Sequence, residues 1–312
     1  MVSVGSGQSL EGGFHLPDRL AAKAPCLPLG GRLDAPEVLA AKSRNENFPV
    51  ASRFLPPDVR GALMAIYGFA RLTDDLGDEA EGDRLGMLDW LEADLERAAA
   101  GDATSPVMQK LTPVIRDFEL TLDPFRALIE ANRMDQRVAR YQGFSDLVDY
   151  CMLSAAPVGR LVLSVFKVST PERVALSDNV CIGLQLVEHL QDIGEDAGRG
   201  RVYMPAADMA RSGCSEADLM AASAPRPLRE LVAMEVERAR GLLRAGRPLA
   251  ASLGPRPRAA VAGFTAGGQA ALDSIERAGY DVLGTRCRPR RLRFAARALS
   301  GFVAASLKRG SS

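Results

Sequence analysis

The chain has 312 residues, 47% of them hydrophobic, and its 39 Lys and Arg balance 39 Asp and Glu. That supply of core material fits a globular fold, and the balance excludes a general electrostatic pull toward nucleic acid or an acidic partner. Five scattered cysteines without a CxxC pair, and histidines only at positions 15 and 189, argue against a disulfide framework or a zinc site.

Residues 1–33 are rich in Gly, Ser and Pro and lack periodicity, which predicts a flexible leader. From residue 34 to 284 the apolar spacing predicts one all-α domain, with helices over about 35–44, 57–78, 84–100, 105–119, 122–140, 144–167, 171–197, 226–252 and 256–280. Ser105-Pro106, Asp123-Pro124 and Thr170-Pro171 read as capping residues followed by proline in the first helical turn. No strand, dinucleotide-type glycine loop, signal pattern or run of eighteen apolar residues stands out, so the expectation is a cytosolic protein. The segment 285–312 is arginine-rich and without acids. It is expected either to touch the anionic inner face of a membrane or to dock as a basic helix over the phosphate site.

Two acidic clusters punctuate the helices: Asp74-Asp75-Leu76-Gly77-Asp78-Glu79 and Asp192-Ile193-Gly194-Glu195-Asp196. Residues four apart share a helix face, so Asp74 with Asp78, and Asp192 with Asp196, form two-carboxylate claws. Each claw follows an apolar helical run, where carboxylates need compensating positive charge. Mg²⁺ is the natural filler, because it accepts a few carboxylates and completes its shell with water and phosphate oxygens. Carboxylates and Mg²⁺ beside an apolar cavity suit chemistry in which diphosphate leaves and a carbocation remains.

The run from Gly68 to Glu79, the run from Gln185 to Asp196, and Gly200-Arg201-Val202-Tyr203-Met204-Pro205 resemble the signature regions of the squalene and phytoene synthases. Tyr150-Cys151 and Pro157-Val158-Gly159 resemble the helix between them. The resemblance implies an isoprenoid-synthase helical bundle with a central apolar cavity, a prenyl diphosphate substrate, and Mg²⁺ held by Asp74, Asp78, Asp192 and Asp196. It further implies that Arg71 and Arg201 meet diphosphate oxygens and that four more residues line the site, Tyr67 and Tyr150 as catalytic candidates and Gln185 and Tyr203 as substrate contacts. Asp75, Glu79 and Glu195 stand beside the claws either as helix surface or as supporting groups. Phe48 is expected either near the mouth of the cavity or in ordinary core.

Glu46-Asn47-Phe48-Pro49-Val50 and Ala131-Asn132-Arg133-Met134-Asp135-Gln136 resemble the hydroxysqualene-forming branch of that family. This branch expels diphosphate from presqualene diphosphate and adds water. Condensing relatives usually carry Asn and Arg where this chain has Glu188 and Gln191, which would leave its pocket about two charge units more negative. Glu188 is therefore the candidate extra ligand or water-orienting base, whereas His189 is read as a packed or capping residue. The alternatives are a head-to-head prenyl transferase and a noncatalytic assembly or binding protein on the same fold. Other enzymes of the squalene pathway are candidate partners.

Overall fold

The computed structural model describes residues 55–284. The expected leader, the helix at 35–44, Phe48 and the basic segment 285–312 lie outside the described residues. Within them the chain is all-α, and the one extended pairing is an isolated parallel bridge between Arg140 and Val202.

In chain order the helices are α1 Pro57–Asp74, continued by a π-helical turn Asp75–Glu79, then α2 Arg84–Ala100, α3 Pro106–Asp117, α4 Asp123–Asp135, α5 Phe144–Ser154 and α6 Ala156–Val165. They are followed by α7 Pro171–Gly198, α8 Ala206–Ser212, a 3₁₀ turn Glu216–Met220, α9 Arg226–Ala245, α10 Pro248–Ser252 and α11 Pro255–Arg277. Ser105 and Thr170 cap α3 and α7 by accepting from the backbone N–H of Met108 and Arg173. Asp123 instead falls inside the first turn of α4 and pairs with Arg126 at 3.1 Å.

The predicted helix over 144–167 is two helices. Pro157 has no N–H to return to the preceding turn and its ring crowds that turn's carbonyl, so the chain breaks at Ala155. The stretch Phe144–Val165 is long and apolar enough to cross a membrane, with an 18-residue window of mean hydropathy 1.3, but 56% of that window is buried within the fold. The predicted helix over 226–252 also divides, at Gly246, where a Cβ would come 2.3 Å from Val180 Cγ2. α8 and the 3₁₀ turn were not predicted, because each is too short to establish a period.

α7 runs centrally through the bundle, against α5, α6, α9, α10 and α11. One apolar core gathers α1, α2 and α3 around Phe69 and Phe125, whose rings meet edge to face at 5.0 Å. A second core fills the space between α5, α7, α9 and α11. The free thiols of Cys151, Cys181 and Cys214 are buried, and burial raises the pKa of each.

One ionic cluster lies away from the signature regions. Arg238 of α9 pairs with Asp208 of α8 and with the buried Glu235, and stacks over the Phe144 ring at 4.4 Å. Burial pushes the Glu235 carboxyl up to about 7, against the pull of Arg238. Its folded-state pKa exceeds the ordinary 4.5 of the unfolded chain, so the folded form holds more protons between those values. The contribution of this group is thus present at low pH and lost as pH rises through about 7. Glu235→Gln is expected to flatten the decline of Tm across that window in a pH series of thermal melts.

Candidate active site

The principal cavity, of about 310 Å³, lies where α1, α4, α5 and α7 meet the segment after α7. Gln185, Glu188, His189, Asp192, Glu195 and Asp196 recur every three or four positions along α7 and form one wall. Asp74, Asp78 and Glu79 face it from the end of α1 and its π turn. The sequence therefore brings both claws to one space.

The first claw is not the regular α-helical pair that its spacing suggested. From Asp75 the helix widens, and the Ala80 N–H reaches the Asp75 carbonyl five residues back at 2.9 Å. Gly77 makes this turn fit against α4, since a Cβ there would stand 2.0 Å from Asn132 Oδ1. Gln136 donates to the Gly77 carbonyl at 2.9 Å, and Asn132 donates to Asp74 at 3.4 Å.

The cavity holds its own counterions. Arg201 pairs with Asp78 at 2.7 Å; Arg71 pairs with the buried Asp75 at 2.6 Å and with Glu79 at 3.4 Å; and Arg199 pairs with Glu195 at 2.9 Å. Burial disfavours the Arg201 cation, yet the facing Asp78 raises its pKa above the usual value. Arg201 and Tyr203 reach the site because the Val202 N–H bonds to the Ala139 carbonyl at 3.0 Å, tying the end of α7 to the strand-like link after α4.

Eight carboxylates and three guanidiniums line the cavity. The surplus is visible at Asp196, whose pKa is pushed up to about 8 by burial and by the neighbouring Asp192. Among the described residues, no three Asp, Glu, His or Cys side chains form a ready metal-ligand cluster. The all-oxygen donor set and its unbalanced charge nonetheless fit Mg²⁺, which needs only one or two carboxylates when water and phosphate supply the rest. Asp74 and Asp78 on one side, and Asp192 and Asp196 on the other, would hold it.

Several expectations are revised. Tyr67 does not line the cavity; it lies two turns below Asp74 on the same face of α1, where the apolar core covers it. Asp75 also points away, held under Arg71. Gln191 is off the cavity stripe of α7, so of the two departures noted in this motif only Glu188 adds charge to the cavity. His189 is buried, as expected of a packed residue, but it also lines the cavity and stacks on Tyr203 at 3.9 Å. Burial drives its pKa down to about 3, so the ring is neutral.

The expected apolar space is separate from this polar one. A cleft of about 40 Å³, lined by Val158, Val162, Val180, Leu184 and Phe264 among others, begins next to Gln185 along α7. Sequence reasoning also passed over Asp135, which was noted only within a resemblance. Its carboxylate accepts from the Tyr150 hydroxyl at 2.8 Å and the Tyr203 hydroxyl at 3.0 Å. The only available signal was an acid at the end of an amphipathic helix.

A helical bundle that gathers carboxylates from two helices, with arginines between them, at the head of an apolar interior has the architecture of the isoprenoid-synthase class. The chain belongs to the squalene/phytoene synthase family, whose sequence model matches residues 41–293. It is similar to a hydroxysqualene synthase of Zymomonas mobilis, 34% identical over 227 residues that make up 71% of this chain and 76% of the relative. A phytoene synthase of Arthrospira platensis is 32% identical over 85% of this chain and 92% of its own length. Among solved structures, the squalene synthase HpnC from Alicyclobacillus acidocaldarius superposes with a TM-score of 0.73 at 43% identity, covering 78% of this chain and 94% of that one.

Proposed function

We propose that the protein is a Mg²⁺-dependent hydroxysqualene synthase, converting presqualene diphosphate and water to hydroxysqualene and diphosphate. The observation that carries this reading is Glu188, a buried carboxylate on the cavity wall one turn before Asp192. It adds negative charge to a space already rich in carboxylates, which suits one diphosphate better than the two of a condensation. The similarity to the hydroxysqualene synthase of Zymomonas mobilis supports the same branch.

Mg²⁺, when bound, neutralises the leaving diphosphate. Arg201 and Arg71 exchange carboxylate partners for diphosphate oxygens, the bidentate contact to which guanidinium is suited. The bond from carbon to the diphosphate oxygen breaks, and the resulting cyclopropylcarbinyl cation rearranges within the cavity. A water oxygen then bonds to the cationic carbon and its surplus proton passes to Glu188. No hydride is needed, hence no nicotinamide.

Purified protein given Mg²⁺ and presqualene diphosphate, without nicotinamide, is expected to yield hydroxysqualene by mass spectrometry. A second reading, condensation of two prenyl diphosphates, draws on the similarity to the phytoene synthase. Failure to turn over presqualene diphosphate, with its formation from farnesyl diphosphate, would decide for condensation.

A further inference from the structure

Asp135 is an unusual place for a carboxylate. It closes α4, and the C-terminal end of a helix carries the partial negative charge of its dipole. Burial raises its pKa to about 6 despite the nearby Arg201, which spends its own hydrogen bond on Asp78. Its hydrogen-bonding partners are two phenols, Tyr150 from α5 and Tyr203 from the segment after α7. The three groups come from separate elements, so ordinary helix propensity or capping does not account for the arrangement.

The consequence lies in the number of protons. A phenol has one to donate and otherwise only accepts. With both hydroxyls donating to the Asp135 carboxylate, Tyr150 and Tyr203 keep only acceptor lone pairs for whatever occupies the cavity they line and do not donate to a diphosphate. The surrounding rings reinforce the pattern. Tyr150 and Tyr203 lie 5.4 Å apart, Tyr141 stacks on Tyr203 at 5.8 Å, and the neutral His189 covers the other contact of Tyr203 at 3.9 Å. Its aromatic rings make this wall electron-rich; Arg71 lies toward the claws, and Arg201, paired with Asp78, stands between the claws and Asp135. The cavity thus grades from an anion-binding end at the claws and arginines to an aromatic wall whose two hydroxyls already donate to Asp135.

We propose that Asp135 is a positioning residue that accepts the hydroxyl hydrogen bonds of Tyr150 and Tyr203 and so fixes both oxygens as acceptors facing the carbocation. The proposal rests on the reading of the site as one that ionises a prenyl diphosphate, and it assigns the tyrosine wall to the carbon skeleton rather than to the leaving group.

The test is a mutant cycle on the full chain with Mg²⁺ and presqualene diphosphate, following diphosphate release and product identity. Asp135→Asn is expected to lower kcat about 30- to 100-fold with KM within about threefold, because its amide forces one phenol to reverse its donor. The Tyr150→Phe, Tyr203→Phe pair should lose a similar factor, and adding Asp135→Asn to that pair should cost no more than about twofold. Asp135→Glu keeps two acceptor oxygens and should be more active than Asp135→Asn, whereas a packing role makes the longer side chain worse. Multiplying effects, a rise in KM at unchanged kcat, or Asp135→Asn outperforming Asp135→Glu each overturn the proposal. If wild-type protein consumes farnesyl diphosphate but not presqualene diphosphate, the hydroxysqualene reading falls, and the same cycle scored on farnesyl diphosphate still decides the role of Asp135.

Discussion

Asp192→Asn is expected to reduce turnover about 10³-fold or more while making the metal-free protein more stable to heat. The two effects share one cause. Asp192 and Asp196 stand one turn apart on α7, and burial together with the Asp192 charge drives the Asp196 carboxyl up to about 8. Without a cation the Asp192 charge holds Asp196 in its protonated form at a cost to the fold, which removing that charge relieves; on the proposed reading the same pair would supply ligands to Mg²⁺, so removing one would weaken the hold on diphosphate. Thermal melts with and without Mg²⁺, beside single-turnover kinetics, measure both. Wild-type protein should gain Tm on addition of Mg²⁺ and the variant should gain little. An Asp192→Asn protein that keeps its activity and its Mg²⁺ response would remove the claw from the mechanism.

Glu188→Asn is expected to lower hydroxysqualene formation about 10²-fold, the usual scale for losing a positioned base. Diphosphate release should fall much less, because Glu188 is assigned to the capture of water and not to ionisation. The products should shift toward hydrocarbons and misplaced alcohols formed when the cation loses a proton or meets water elsewhere. Gln191→Arg supplies the control, since Gln191 lies off the cavity wall and its substitution should leave turnover within about twofold of wild type. Equal losses of diphosphate release and alcohol formation in Glu188→Asn would place Glu188 with the metal-binding carboxylates instead.

Which positions on α7 face the site was nearly legible from its sequence. Gln185, Glu188, Asp192 and Asp196 fall on one stripe of an uninterrupted helix, and an α-helix advances about 100° per residue whatever surrounds it. That same arithmetic excludes Gln191, which the charge comparison had paired with Glu188. It also keeps His189 at the margin of the stripe, where its ring stacks on Tyr203. The first claw was less legible. Its i,i+4 spacing presumed an α-helix through Asp78, while the chain opens into a π turn where Gly77 meets Asn132 and Gln136 takes the Gly77 carbonyl. Such widening depends on what α4 presents and leaves no periodic trace.

By itself the sequence determined that the chain is helical, that it carries two acidic clusters on apolar helices, and that these match the family to which the chain belongs. These properties follow from local spacing and short motifs, in which each residue's partners lie within a turn or two. Tertiary structure alone decided that Tyr67 is core, that Arg201 is paired with Asp78, and that Asp135 receives two tyrosine hydroxyls from different elements. A hydrogen bond between α4, α5 and the link after α7 depends on how those elements pack, and side chains distant in sequence acquire a shared chemistry only when packing brings them together.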